Sequence, residues 1–111
     1  MGVFDIFSKR PSFGECVEKA MSVPEAVLLD VRSEQEYSEA HLPKSINIPL
    51  DRIDSIEIEK NRPLFVYCLS GARSGRACGI LKTLGYTAVT NIGGISGYNG
   101  KTEKGKGKGN Q

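Results

Sequence analysis

Six consecutive residues, Cys68-Leu69-Ser70-Gly71-Ala72-Arg73, stand between an apolar run and a helix-forming stretch, and this junction constrains the fold more than any other part of the chain. The preceding Pro63-Leu64-Phe65-Val66-Tyr67 is short, aromatic and β-branched, and it follows the polar Lys60-Asn61-Arg62. It reads as a buried strand of the parallel type, with Cys68 at its carboxyl-terminal tip. Small residues without a carboxylate come next. Ala77, Ile80, Leu81 and Leu84 then recur at i, i+3, i+4 and i+7, which predicts a helix from near Ala72, with Lys82 in its last turn and Gly85 as its stop. A strand, a tight glycine-containing loop and a helix N-terminus turn several backbone N–H groups toward one point. They also set the positive end of the helix dipole beside the sulfur.

That setting favours an ionised thiol. A free cysteine titrates near about 8.5, so a majority of thiolate at neutral pH requires about 2.7 kcal/mol of differential stabilisation. A helix end supplies about 0.3–1 kcal/mol, or up to roughly 2 when partly buried, and so falls short alone. Converging N–H···S bonds and the guanidinium of Arg73 are the expected remaining contributors. The alternative is a buried, inert thiol at a strand end; the carboxylate-free, glycine-containing loop favours the reactive reading.

The rest of the chain limits what surrounds this thiol. At 111 residues it is one domain with a single core, and its alternation of strand-like and helix-like stretches argues an α/β fold. Three cysteines without a short paired spacing do not form a disulfide framework, so a reducing cytoplasm is the expected setting. Cys16 is expected to pack, sharing a helical face with Phe13, Val17, Ala20 and Met21; Cys78 is read as a packing residue, with a resolving role as the alternative. No segment is long and apolar enough to span a bilayer, and no signal-type stretch opens the chain, so no membrane partner is expected. Residues 1–7 are apolar enough to dock on the domain or on a partner, and Ile6 replaces the Ser or Thr of a myristoylation motif. Residues 101–111 alternate glycine with lysine and carry +3, which leaves residues 1–100 at −1. The tail is expected to be disordered and solvated, and a short lysine run without aromatics gives no case for nucleic acid as a partner.

Further elements follow from local signals. Ser12 caps a first helix running to about Ser22, and Ala26-Val27-Leu28-Leu29-Asp30-Val31 reads as a buried strand. Ser33 and Glu36 form a capping box that starts a short helix to about Ala40. His41-Leu42-Pro43-Lys44 makes a turn, Ser45-Ile46-Asn47-Ile48-Pro49 is extended, and Leu50, Ile53 and Ile56 suggest a short helix. Thr87-Ala88-Val89-Thr90-Asn91 is the last expected strand. Arg32 and Glu36, four apart, are expected to pair, and Asp30 to accept loop hydrogen bonds. His41 is expected to serve the turn, since an ionised thiolate needs no general base. A thiol at the carboxyl end of a parallel strand lies where open α/β sheets carry ligands.

Several ordered motifs resemble those of a single-domain rhodanese over about residues 13–100. They are Leu28-Leu29-Asp30-Val31-Arg32, Glu36-Tyr37, His41-Leu42-Pro43, Ile46-Asn47-Ile48-Pro49, Val66-Tyr67-Cys68 with its loop, and Gly93-Gly94. The resemblance implies a rhodanese-like α/β fold, a small central parallel sheet flanked by helices, preceded by residues 1–12 and followed by the tail. It also implies sulfurtransfer through a persulfide on Cys68, with Leu69, Ser70, Gly71, Ala72 and Arg73 lining the loop. The chain departs from the pattern at Lys44, where glycine is common, and at Tyr98, where tryptophan is frequent.

The chemistry can be argued from the loop. A Cys68 thiolate attacks the sulfane sulfur of a donor such as thiosulfate, expels sulfite and is left as a persulfide, which cyanide, a small thiol or a protein cysteine then discharges. Arg73 holds the donor's sulfonate or braces the loop, and Arg76 is either an anion-attracting rim residue or a solvated helix residue. No metal or cofactor is implied, because the chain has one histidine and no close ligand cluster. A phosphatase or arsenate reductase of the same fold typically places five residues between Cys and Arg, and here four intervene, which leaves less room for a tetrahedral oxyanion. A non-enzymatic module that binds a partner or carries a persulfide is the other alternative; Cys68 argues against a bare scaffold, whereas a persulfide carrier and a catalyst look identical in sequence.

Overall fold

The computed structural model describes residues 11–106, so the apolar residues 1–7 lie outside the described part. Four parallel strands form one sheet in the order β2-β1-β3-β4: β1 is Val27–Asp30, β2 Ile46–Asn47, β3 Leu64–Cys68 and β4 Val89–Gly94. Helix α1 (Phe13–Ser22) precedes β1, and α2 (Glu34–Glu39), a 3-10 helix at Leu50–Ser55 and α3 (Ala72–Thr83) connect the successive strands. This is the α/β class that the alternation argued, in the form of the small parallel sheet flanked by helices that the resemblance implied. No helix among the described residues is long and apolar enough to cross a membrane.

Strand parity decides what each face of the sheet buries. Successive side chains point to opposite faces, so Leu64, Val66 and Cys68 share one face of β3 while Phe65 and Tyr67 share the other. Cys68 accordingly joins Leu29, Val66, Ala77 and Leu81 in the core under α3, and Tyr67 packs with Leu28, Val17 and Ala20 under α1. β1 and β3 are buried at every position, as continuous apolar runs in a parallel sheet require.

Local chemistry explains most of the boundaries. Both capped helices carry full capping boxes, Ser12 with Glu15 and Ser33 with Glu36, although at the first only the Ser12 cap is expected from the sequence. Gly85 ends α3 with φ 104°, and Tyr86 donates to Leu81 O across the stop. β4 is displaced from the expected residues 87–91 and runs through Gly94, with a register shift opposite Val66 and Tyr67. Glycine is depleted in strands, so a propensity reading ends before Gly93; here pairing with β3 overrides it. Met21, placed on the buried face with Cys16, is 52% exposed. It sits about 100° round the helix from Ala20, at the edge of an arc that is buried only at Val17 and Ala20.

Two further expectations are revised. Arg32 does not pair with Glu36: its Nε and Nη2 grip the Asp30 carboxylate at 2.7–3.0 Å, and Nη2 also donates to Ala40 O at 2.6 Å. Asp30 is closer because both side chains leave the same strand end, and it also accepts Arg32 N at 2.8 Å. The tail is not free from residue 101 onward. His41 and Glu103 exchange backbone hydrogen bonds of 2.9 and 2.8 Å, and Gly105 N donates to Ser38 O at 2.7 Å, so residues 103–105 are pinned beside α2. Lys44, where the family pattern favours glycine, holds φ 68°. Tyr98 packs edge-on against Phe13 with ring centroids 5.2 Å apart, and so fills an aromatic position where the pattern has tryptophan.

Asp30 is fully buried and Arg32 is 5% exposed, so this pair is coupled to stability. Asp30→Ala leaves a buried guanidinium without its counter-charge and is expected to lower the free energy of unfolding by about 3–5 kcal/mol in urea titration. Replacing Arg32 by Leu in the same chain should recover part of that loss; a single-variant loss below about 1 kcal/mol contradicts the assignment.

Candidate active site

The sulfur of Cys68 lies at the carboxyl end of β3, directly before the first turn of α3, and the residue is 1% exposed. Gly71 N donates to Sγ at 3.0 Å and Ser74 N at 3.3 Å, and Ser74 Oγ is 3.4 Å away. Two glycines make this possible. Gly71 is the residue before α3 and has φ 105°, a conformation that turns its N–H back toward the sulfur and that L side chains rarely adopt. A Cβ on Gly94 would lie 2.1 Å from Leu69 O, so the loop can run against β4 only over a bare backbone there. Ile95 N and Ser96 N then donate to Cys68 O and Leu69 O, each at 3.0 Å, and fix the loop to the strand end.

Burial pushes the Cys68 thiol up, but the Ser74 hydroxyl and the N–H groups of Ser74, Gly71 and Ser70 outweigh it, and the thiol titrates below its ordinary value. Burial pushes Cys78 up to about 11, so that thiol stays protonated among Leu81, Ala77 and Val66. All three cysteines are free.

Arg73 does not point its charge at the thiolate alone. Its guanidinium forms a bidentate pair with Glu36, Nη1 to Oε1 at 2.8 Å and Nη2 to Oε2 at 2.9 Å. Glu36 Oε1 also accepts Ser33 N at 2.9 Å, so one carboxylate caps α2 and, through its contact with Arg73, ties the first turn of α3 to α2. The hydrogen bonds from Arg73 hold Glu36 well below the usual carboxylate range, at about 2. Leu69, Ser70 and Ala72 are exposed on the loop, and Arg76 is exposed one turn into the helix. A cavity of about 490 Å³ opens beside Arg73 and Arg76 and is lined also by Val31, Ser33, Pro49, Leu50 and Asp51. A wider groove of about 910 Å³ lies between α1 and β4, on the sheet face that carries Phe65 rather than Cys68. His41 is buried away from these contacts, with Nδ1 at 2.7 Å from Tyr37 O and its ring stacked on Tyr37.

Sequence reasoning missed three members of the assembly: Ser74, Glu36 as partner of Arg73, and Asn91. A signal existed for Ser74, a small hydroxyl residue one turn before Ala77 and Cys78 on the inward face of α3. None existed for the other two, whose partners are 37 and 17 residues away.

Comparison with known proteins agrees with the geometry. The family model described as a rhodanese-like domain matches residues 14–101, and the chain belongs to that family. It is 42% identical over 71 residues to the thiosulfate sulfurtransferase PspE of Escherichia coli, covering 60% of this chain and 68% of that protein. It is 37% identical over 79 residues to the putative sulfur carrier protein YrkF of Bacillus subtilis, covering 68% of this chain but only 43% of that one. Among solved structures it resembles a rhodanese with anions from E. coli, with TM-score 0.64, 36% identity and coverage of 72% of this chain and 99% of that one. A rhodanese-like domain protein from Staphylococcus aureus superposes with TM-score 0.72 at 26% identity, covering 84% and 94%.

The Glu36–Arg73 pair has a pH signature. A carboxyl held at about 2 in the fold against 4.5 ordinarily adds stability above pH 4.5 that is lost as pH falls through about 2. Glu36→Gln is expected to be less stable than the native chain at neutral pH and to show a shallower loss between those limits, followed by acid titration of far-ultraviolet circular dichroism. Parallel acid limbs for the two proteins contradict the pairing.

Proposed function

We propose that this protein is a sulfurtransferase that moves sulfane sulfur from thiosulfate or a persulfide donor to cyanide or a thiol acceptor, a protein cysteine included, through a Cys68 persulfide. The observation that carries this reading is the convergence of Gly71 N and Ser74 N on one buried sulfur atom. Donors so placed stabilise negative charge on sulfur before and after transfer. In the loading step the thiolate forms a bond to the donor's outer sulfur, the S–S bond of thiosulfate breaks, and sulfite departs with the electron pair. An acceptor nucleophile then attacks the outer sulfur of the persulfide, and the Cys68 thiolate leaves with the bonding electrons. A shared covalent intermediate of this kind gives ping-pong kinetics.

The size of the cradle supports sulfur over phosphate. With four residues between Cys68 and Arg73 and 1% exposure, the site suits a single incoming atom rather than three equatorial oxygens. The Arg73 fork, already filled by Glu36, is a poor phosphate clamp, whereas Arg76, without a carboxylate partner among the described residues, lines the lateral cavity and draws anionic donors to the rim. The name of PspE supports an enzyme, and that of YrkF supports a second reading in which the Cys68 persulfide is a carried group rather than a turnover intermediate. Three free cysteines support a reducing compartment such as the cytoplasm.

Incubation with thiosulfate should add the mass of one sulfur atom to the peptide holding Cys68, removable by cyanide or a reducing thiol. Cys68→Ser should abolish both adduct and transfer, while Cys16→Ser and Cys78→Ser keep them. Failure of several sulfane donors to load the folded protein, or hydrolysis of aryl phosphates in place of loading, overturns the proposal. Stable loading with no turnover to small acceptors would select the carrier reading.

A further inference from the structure

Ser74 Oγ has one proton and more than one neighbour that can take it. Asn91 Oδ1 lies 2.7 Å away, Gly71 O 3.1 Å, Cys68 Sγ 3.4 Å and Gly93 O 3.5 Å. The other contacts of Asn91 fix which end of its amide faces Ser74. Gly93 N, a donor, is 2.9 Å from Oδ1, and Gly71 O, an acceptor, is 3.3 Å from Nδ2. A flipped amide would set N–H against N–H and oxygen against oxygen, so Oδ1 is the atom beside the hydroxyl. The amide also lies across the first turn of α3, since a Cβ on Gly75 would meet Asn91 Nδ2 at 3.4 Å.

The 2.7 Å contact is the one at ordinary O–H···O length. A hydroxyl that donates to Asn91 turns its lone pairs toward the sulfur. It then accepts the S–H of neutral Cys68, and it can serve the thiolate only by giving up Asn91. To donate to the thiolate, the hydroxyl must rotate and leave two oxygens facing each other at 2.7 Å without a proton between them. Asn91 therefore has one consequence for the resting thiol and the opposite one for the ion.

We infer that Asn91 is a positioning residue that holds the Ser74 hydroxyl proton away from Cys68 and so restrains formation of the thiolate that the loop N–H groups favour. The inference rests on the reading of Cys68 as the nucleophile and adds to it a control on when that nucleophile forms. Other groups around the sulfur act independently of Asn91. Arg73 of α3 is paired to Glu36 of α2, Asp30 at the end of β1 is paired to Arg32, Cys78 lies one turn beyond Ser74, and β4 carries no titratable side chain.

The test is the rate of Cys68 alkylation by iodoacetamide against pH in the full chain, with the modified residue located by peptide mass, for Asn91→Leu and Asn91→Asp alone and combined with Ser74→Ala. Leucine cannot accept the proton, so Asn91→Leu should speed alkylation at neutral pH about threefold or more, as the thiolate gains a donor. Asn91→Asp keeps the shape but binds the proton harder, and should slow it. In the Ser74→Ala background the leucine effect should vanish and the aspartate effect should shrink to its through-space part. Alkylation that is unchanged or slower in Asn91→Leu, or shifts of equal size with and without Ser74, overturn the inference. If Asn91→Leu fails to fold, the aspartate pair still decides by that comparison. Thiosulfate loading measured alongside separates the two claims: absence of loading in the native chain removes the sulfurtransfer reading, whereas the alkylation pattern removes or retains the role of Asn91.

Discussion

Backbone N–H groups converging on one sulfur atom are the interaction on which the remainder of this structure depends. A thiolate on a residue only 1% exposed would be costly, and burial alone pushes Cys68 the wrong way. The offset comes from a place where a parallel strand ends and a helix begins, since the first N–H groups of a helix have no partners inside it. Strand parity then matters as much as the loop. Because Leu64 and Val66 point under α3, the side chain two residues further on must point there too, and Cys68 meets the open helix end rather than the α1 face.

The cradle is held from three sides by contacts that differ in kind. From β4, Gly94 permits close passage of the loop, and Ile95 and Ser96 donate to it. On the α2 side, Glu36 grips Arg73 with an oxygen that also caps its own helix, so the orientation of α2 is coupled to the first turn of α3. Below α2, the buried Asp30–Arg32 pair reaches Ala40 O, and Asn47 Nδ2 donates to Asp30 O and Arg32 O at 2.9 and 3.0 Å. Charged side chains that resemble catalytic groups in the sequence thus fix the frame, and the sulfur is left to main-chain donors, Ser74 and the residue that governs its proton.

How much of this was legible in the sequence depends on the range of the signal. Short-range chemistry carried well: the Ser33–Glu36 box, the start of α3 at Ala72, its stop at Gly85 and the position of Cys68 at a strand end all follow from residues within one turn of one another. The β4 boundary did not, because the pairing partner outweighs the poor strand propensity of Gly93 and Gly94. Ion pairing failed in an instructive way. Arg32 and Glu36 have ideal helical spacing, yet Arg32 lies before α2 and is captured by Asp30, which frees Glu36 for Arg73 at a distance of 37 residues. The lysine-rich tail reads as solvated by composition, and its anchoring at Glu103 and Gly105 uses backbone groups that composition does not reveal.

The Ser74 hydroxyl and the converging N–H groups of Ser74, Gly71 and Ser70 together lower the Cys68 thiol against the cost of burying it. The most direct measurement is a pH titration of thiolate absorbance in the ultraviolet, taken as the difference between the native protein and Cys68→Ser. The account predicts a single step below the range of a free cysteine, near about 8.5. A step at or above that range, in a protein that remains folded, would contradict it.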